Sequence, residues 1–136
     1  MAGLLTNVGE EQMLKLICNK SGVTLRDMSL RLFQNDYTPV EGSVVGNFTV
    51  ATFTGYASIT LATGDWTITP GAPTAAACGQ KTFTSSAGSQ NQPIYGYYLV
   101  TATDEIVIAA ERFSDGPYTI VNNGDTIKVT PNITLE

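Results

Sequence analysis

Glu105-Ile106-Val107-Ile108-Ala109-Ala110-Glu111-Arg112-Phe113 is the stretch that decides the fold. Ile106, Ile108 and Ala110 alternate with Glu105, Val107, Ala109 and Glu111. The same rhythm returns where Ile127 and Val129 alternate with Thr126, Lys128 and Thr130. A period of two places successive side chains on opposite faces, as in half-buried strands and not in helices. Turn residues bound both runs: Thr103-Asp104 and Asp115-Gly116-Pro117 around the first, Asn122-Asn123-Gly124-Asp125 before the second. The last of these is a hairpin signal.

The same pattern recurs along most of the chain. Met28, Leu30 and Leu32 alternate with Ser29, Arg31 and Phe33, and Asn35-Asp36-Tyr37-Thr38-Pro39 then turns the chain. Further strands are expected at 48–53, 56–62, 66–69, 81–85, 94–100 and 118–121, with Ile133 and Leu135 closing the chain. Residues 70–92, rich in Gly, Ala, Ser, Gln and Pro, read as a long connection holding one strand. Only the first twenty residues carry a helical signal. Asn7 stands three positions before Glu10, which approximates a capping box. Met13, Leu16 and Ile17 form an i, i+3, i+4 stripe, and Gly22 supplies a stop. The reading is an all-β protein. It expects a jelly-roll-like β-sandwich of about eight strands over 23–136, preceded by an N-terminal helical arm over 1–22.

Composition narrows the function. The 136 residues suit one domain. Charged residues make up 14%, against about 25% in a typical soluble domain, so the surface suits protein contacts or is simply that of a Thr-rich sandwich. The net charge is −5, and the seven Lys and Arg residues are scattered. Nucleic-acid affinity needs clustered positive charge, so no nucleic-acid partner is expected. No apolar run has the length of a membrane span, and no membrane partner is expected. Met1 to Leu5 has no basic flank and does not read as a signal peptide. Synthesis in a reducing cytoplasm is therefore expected, with Cys18 and Cys78 as buried free thiols.

The chain is poor in reactive groups. It has no His and no closely spaced Cys pair, so a zinc site is not expected. Asp104 and Glu105 are adjacent and would point to opposite faces of a strand, which suits a solvated turn better than paired acid catalysis. Glu111 is expected to pair with a base across the ladder or at a subunit contact. No catalytic residue, metal or cofactor is assigned. The aromatic residues Tyr56, Trp66, Tyr95, Tyr97 and Tyr98 remain as candidates for a sugar-binding face, with Trp66 read first as a core residue. Tyr95 and Tyr97 are taken with Met13, Leu16 and Ile17 as candidate interface residues, because Tyr is enriched at interfaces.

Several segments carry a resemblance. They are Val8-Gly9-Glu10, Leu30-Arg31-Leu32-Phe33 with Asn35-Asp36-Tyr37-Thr38-Pro39, Phe53-Thr54-Gly55-Tyr56-Ala57, and Asp65-Trp66. Later come Ile94-Tyr95-Gly96-Tyr97-Tyr98, Ala110-Glu111-Arg112-Phe113, Asn123-Gly124-Asp125-Thr126-Ile127, and Pro131-Asn132-Ile133-Thr134-Leu135. Taken in order, they resemble a family of small virion structural proteins of tailed bacteriophages. That resemblance implies a virion component, first a capsid decoration (cement) protein on the outer surface of the shell. It implies the major capsid protein or another virion protein as partner, and a homo-oligomer, a trimer if it caps three-fold positions. The alternative is a tail or head-fibre component with a carbohydrate-binding or adhesin role.

Overall fold

The stretch that decides the fold is buried on both faces. Val107, Ile108, Ala109 and Ala110 are all buried, and so is every residue of its neighbour at 96–101. The half-buried strand expected from alternation is therefore corrected here. The computed structural model describes residues 3–18, 20 and 27–135.

Among the described residues there are twelve strands and one α-helix in an all-β, sandwich-like fold. In chain order these are β1 (Leu4–Leu5), α1 (Asn7–Ile17), β2 (Met28–Phe33), β3 (Ile59–Leu61), β4 (Trp66–Thr69), β5 (Thr74–Cys78) and β6 (Lys81–Thr84). Then follow β7 (Gln92–Ile94), β8 (Gly96–Thr101), β9 (Val107–Arg112), β10 (Tyr118–Ile120), β11 (Thr126–Val129) and β12 (Asn132–Leu135). A five-stranded antiparallel sheet runs β1-β9-β8-β2-β3. A three-stranded sheet runs β12-β5-β4, and two pairs, β10-β7 and β11-β6, complete the domain. The count exceeds the expected eight because several strands are only two or three residues long.

The central strands β2 and β8 divide two apolar clusters by parity. Leu30, Leu32, Tyr97 and Leu99 face the main core, which also takes Phe53, Leu61, Phe83, Ile94, Ile127 and Ile133. Phe33, Tyr98 and Val100 face the other way, into a second cluster with Phe48, Val107 and Ala110. Residues 35–50 cover that second face. Phe48 stacks on Tyr98 at 4.6 Å, and the Phe33 and Tyr37 rings meet Phe48 edge-on at 5.2 and 5.3 Å. Arg112 holds the cover down: its Nη1 donates to Asp36 Oδ1 (2.6 Å) and to the Tyr37 carbonyl (3.1 Å).

Opposite Leu99 and Val100 the register shifts: Leu99 pairs with Ala109 and Val100 with Val107, leaving Ile108 as a bulge. The N-terminus is built onto this bulge. Thr6, fully buried, donates its hydroxyl to the Val107 carbonyl and its N–H to the Ile108 carbonyl. The Thr6 hydroxyl also accepts the Gly9 N–H, at 3.1 Å. Thr6, not Asn7, is thus the helix cap, because only its hydroxyl reaches both the bulge and the first turn. The helix ends at Ile17; the Gly22 stop and the 22/23 boundary lie outside the described residues.

Three other expectations change. Residues 48–53 form no strand. Their backbone meets β2 briefly (Gln34 N to Thr49 O, 2.8 Å; Ala51 N to Leu32 O, 2.9 Å). The Thr52 and Phe53 N–H groups then go to the Gln92 side-chain carbonyl instead of a ladder (2.8 and 3.0 Å). The 70–92 connection holds the whole of β5 as well as β6. The 122–125 turn forms, with Gly124 at φ +90°, a value that suits glycine. Its flanking strands do not pair with each other: β10 joins β7 and β11 joins β6. The turn residues set the reversal; burial of Ile120 and Ile127 in the core sets the partners.

Candidate functional site

The inner face of the β12-β5-β4 sheet is set by register. Trp66 lies opposite Cys78, and Ile68 opposite Ala76. Ile133 lies opposite Ala76, and Leu135 opposite Thr74. Alternation therefore gathers Trp66, Ile68, Thr74, Ala76, Cys78, Ile133 and Leu135 on one face. At one end this face is core: Cys78 and Ile133 are buried. At the other end it is open, with Ile68 61% and Leu135 48% exposed.

Helix α1 borders the open end. Met13 packs against the core, and Leu16 stands 47% exposed beside it. With Met28, these residues line an apolar groove of about 500 Å³. Among the described residues its lining has no charged side chain. Among the described residues nothing covers the open end of this face, where Leu16, Ile68 and Leu135 stay exposed, and exposed apolar patches of this kind mark contact sites.

The five residues singled out by sequence do not form one surface. Met13 and Leu16 meet in the groove, whereas Ile17 is 80% exposed outside its lining. Tyr95 lies with the second cluster on the far face of the large sheet, beneath the Arg112 guanidinium at 4.9 Å from its ring centre. Tyr97 is 2% exposed, and its hydroxyl donates to Glu111 Oε2 at 2.8 Å. Glu111 thus accepts from a phenol across the ladder; a base was expected there or at a subunit contact. Burial and the neighbouring Glu111 carboxylate raise the Tyr97 pKa far above the ordinary phenol value.

The aromatic residues considered as a sugar platform are likewise divided. Tyr98 is buried opposite Tyr97. Tyr56 stacks on Phe83 and accepts the Leu32 N–H at 3.1 Å, and burial pushes its hydroxyl up to about 12. Trp66 is half-buried, one flank in the core and one on the groove.

The charged groups at the head of β4 engage each other. Asp65, just before β4, pairs with Lys81 at 2.6 Å and accepts the Ala62 N–H at 2.8 Å. Lys81 first, and then that N–H, hold its carboxyl below the usual range. Both cysteines are free; Cys18 is exposed and Cys78 buried, so the expectation of two buried thiols holds for Cys78 alone. Burial, with Asp65 nearby, pushes the Cys78 thiol up to about 11, which leaves it protonated and unreactive at neutral pH. Among the described residues, no group of three or more His, Cys, Asp or Glu side chains is placed to hold a metal. None of their helices is long and apolar enough to cross a membrane. The site's chemistry is burial of apolar area.

Comparisons with family models, curated proteins and solved structures gave no match.

The groove residues that sequence reading missed include Met28, Ile68, Ala76 and Leu135. Trp66-Thr67-Ile68-Thr69 carries a signal for one of them. Its alternation places Ile68 on the face of Trp66, so an uncovered end of that face exposes Ile68. What sequence did not contain was where the covering elements stop.

Proposed function

We propose that this chain is a virion structural protein, a capsid decoration component that stabilises a protein shell by protein–protein contact. The virion assignment rests on the sequence resemblance to small tailed-phage structural proteins. The observation that carries the contact role is the apolar groove, uncharged among the described residues, with Leu16, Ile68 and Leu135 exposed in its lining. A surface of this kind gains by burial at about 25 cal/mol per Å² of apolar area. The net charge of −5 favours the outside of a capsid over the space filled by DNA.

The test is copy number in purified particles. A decoration protein is present in hundreds of copies and binds empty shells. A few or tens of copies would move the assignment to the tail, and absence from particles would overturn it.

A further inference from the structure

The strands on either side of the 122–125 turn part company, and the turn is held by the 85–90 loop instead. Gly124 donates its N–H to the Ser85 carbonyl (2.9 Å), and Ser85 donates its own to the Asp125 carbonyl (2.8 Å). Gln90 donates its N–H to the Val121 carbonyl (3.2 Å). The Gln90 side chain fixes the loop in turn. Its Nε2 donates to Ser85 Oγ (2.6 Å) and to the Ala87 carbonyl (2.9 Å), and its Oε1 accepts the Thr54 N–H.

This turn presents Asn123-Gly124, the one Asn-Gly pair in the chain, with both residues exposed. An Asn side chain is lost when the amide nitrogen of the next residue attacks its Cγ. A C–N bond closes a succinimide ring, and ammonia leaves with the proton from that nitrogen. Water then opens the ring at either carbonyl, giving aspartate or isoaspartate. A following side chain hinders the attack, and Gly has none. Within the turn, the Asp125 carboxylate accepts the Val121 and Asn122 N–H groups, whereas the Asn123 carboxamide has no hydrogen-bond partner among the described residues. The electrophile is therefore unrestrained. The nucleophile is held, because the proton it must lose is donated to Ser85.

We infer that Asn123 is a self-modification site, converted to aspartate and isoaspartate at a rate gated by the Gly124–Ser85 hydrogen bond. Conversion proceeds from a local opening of the turn, which frees the Gly124 nitrogen while the core strands stay folded. The product carries a new negative charge beside Asp125. Its isoaspartyl form routes the main chain through Cβ and Cγ of residue 123, which lengthens the turn. The inference stands apart from the virion reading, which copy number tests separately.

Amide exchange and conversion break the same N–H···O bond, so the fold should slow both alike. The full chain is incubated at mildly alkaline pH, folded and in urea. Peptide mapping by mass spectrometry follows the loss of Asn123, and hydrogen exchange in the same buffer gives the protection of the Gly124 amide. Conversion is expected at Asn123. It should be slower in the folded chain than in urea by the Gly124 protection factor, to within an order of magnitude. Gln90→Ala, which frees the loop without touching the reacting atoms, should speed exchange and conversion by the same factor. Were that variant to unfold, the wild-type comparison decides alone. Four results would overturn the inference: an unprotected Gly124 amide, equal conversion folded and in urea, conversion at Asn122 or Asn91 in place of Asn123, or no conversion over a period for which the measured protection predicts it.

Discussion

The β8–β9 hairpin and the β4–β5 hairpin are both apolar, antiparallel and adjacent in sequence, yet they have opposite fates. β8 is buried at all six positions, its two faces divided between separate clusters. β4 is half-buried at Trp66 and exposed at its other three positions. The difference lies in what each sheet has above and below it. Residues 35–50 cover the outer face of β8, and the main core covers the inner one. β4 has the core under its first residue only, and the groove under Ile68. Stability is concentrated in the first hairpin, and available contact surface in the second.

Gly96 is where this contrast breaks most severely. A Cβ there would collide with the Glu111 carbonyl oxygen and lie 2.7 Å from the Phe33 ring. Gly96→Ala should cost about 3 kcal/mol or more, since neither neighbour can withdraw in a sheet packed on both faces. Urea titration reads this directly, and a loss below about 1 kcal/mol would show that β8 is looser than its burial implies.

A matched pair sharpens the comparison. Leu99→Ala removes a fully buried side chain and should cost about 2–5 kcal/mol. Ile68→Ala, at a position 61% exposed, should stay within about 0.5 kcal/mol. Similar losses at both sites would mean that the two hairpins share one level of protection.

Thr6→Val tests the attachment of the helix to the β9 bulge. The change keeps the shape but deletes the cap and the hydroxyl bond to Val107. It leaves the Gly9 N–H and a buried carbonyl without that partner, and about 2 kcal/mol should be lost. Amide exchange should quicken in α1 and at the bulge before it does in β2.

The smallest effect belongs to the turns. Backbone N–H groups of Asn122 and Val121, at 2.7 and 2.8 Å, hold the Asp125 carboxyl below its ordinary range. Asp65 is lowered in the same sense. A carboxyl whose folded pKa is depressed favours the fold above its unfolded value of about 3.9, and that contribution is lost as pH falls through the folded value. Melting temperature should therefore fall on acidification below about pH 4, and Asp125→Ala should flatten part of that fall. An unchanged acid limb in the variant would place the titrating group elsewhere.

Much of the local structure was legible in the sequence. Alternation located β2, β4, β9 and β11, and the Met13 and Leu16 stripe located the helix face that borders the groove. The reversal at 122–125 was legible because Gly124 suits a positive φ. These properties depend on a residue and its near neighbours. Which face of a strand is covered depends on segments distant in the chain. Alternation read β9 as half-buried because it cannot register the 35–50 cover, whose anchor, Arg112 to Asp36, spans 76 positions. It could not separate β10 from β11, because their partners were chosen by the burial of Ile120 and Ile127. The composition and order of the side chains determined an all-β protein with few charges. Only tertiary packing decided that Tyr97 would go inside and Ile68 would stay outside, because burial is set by what lies across the interface and not by the residue itself.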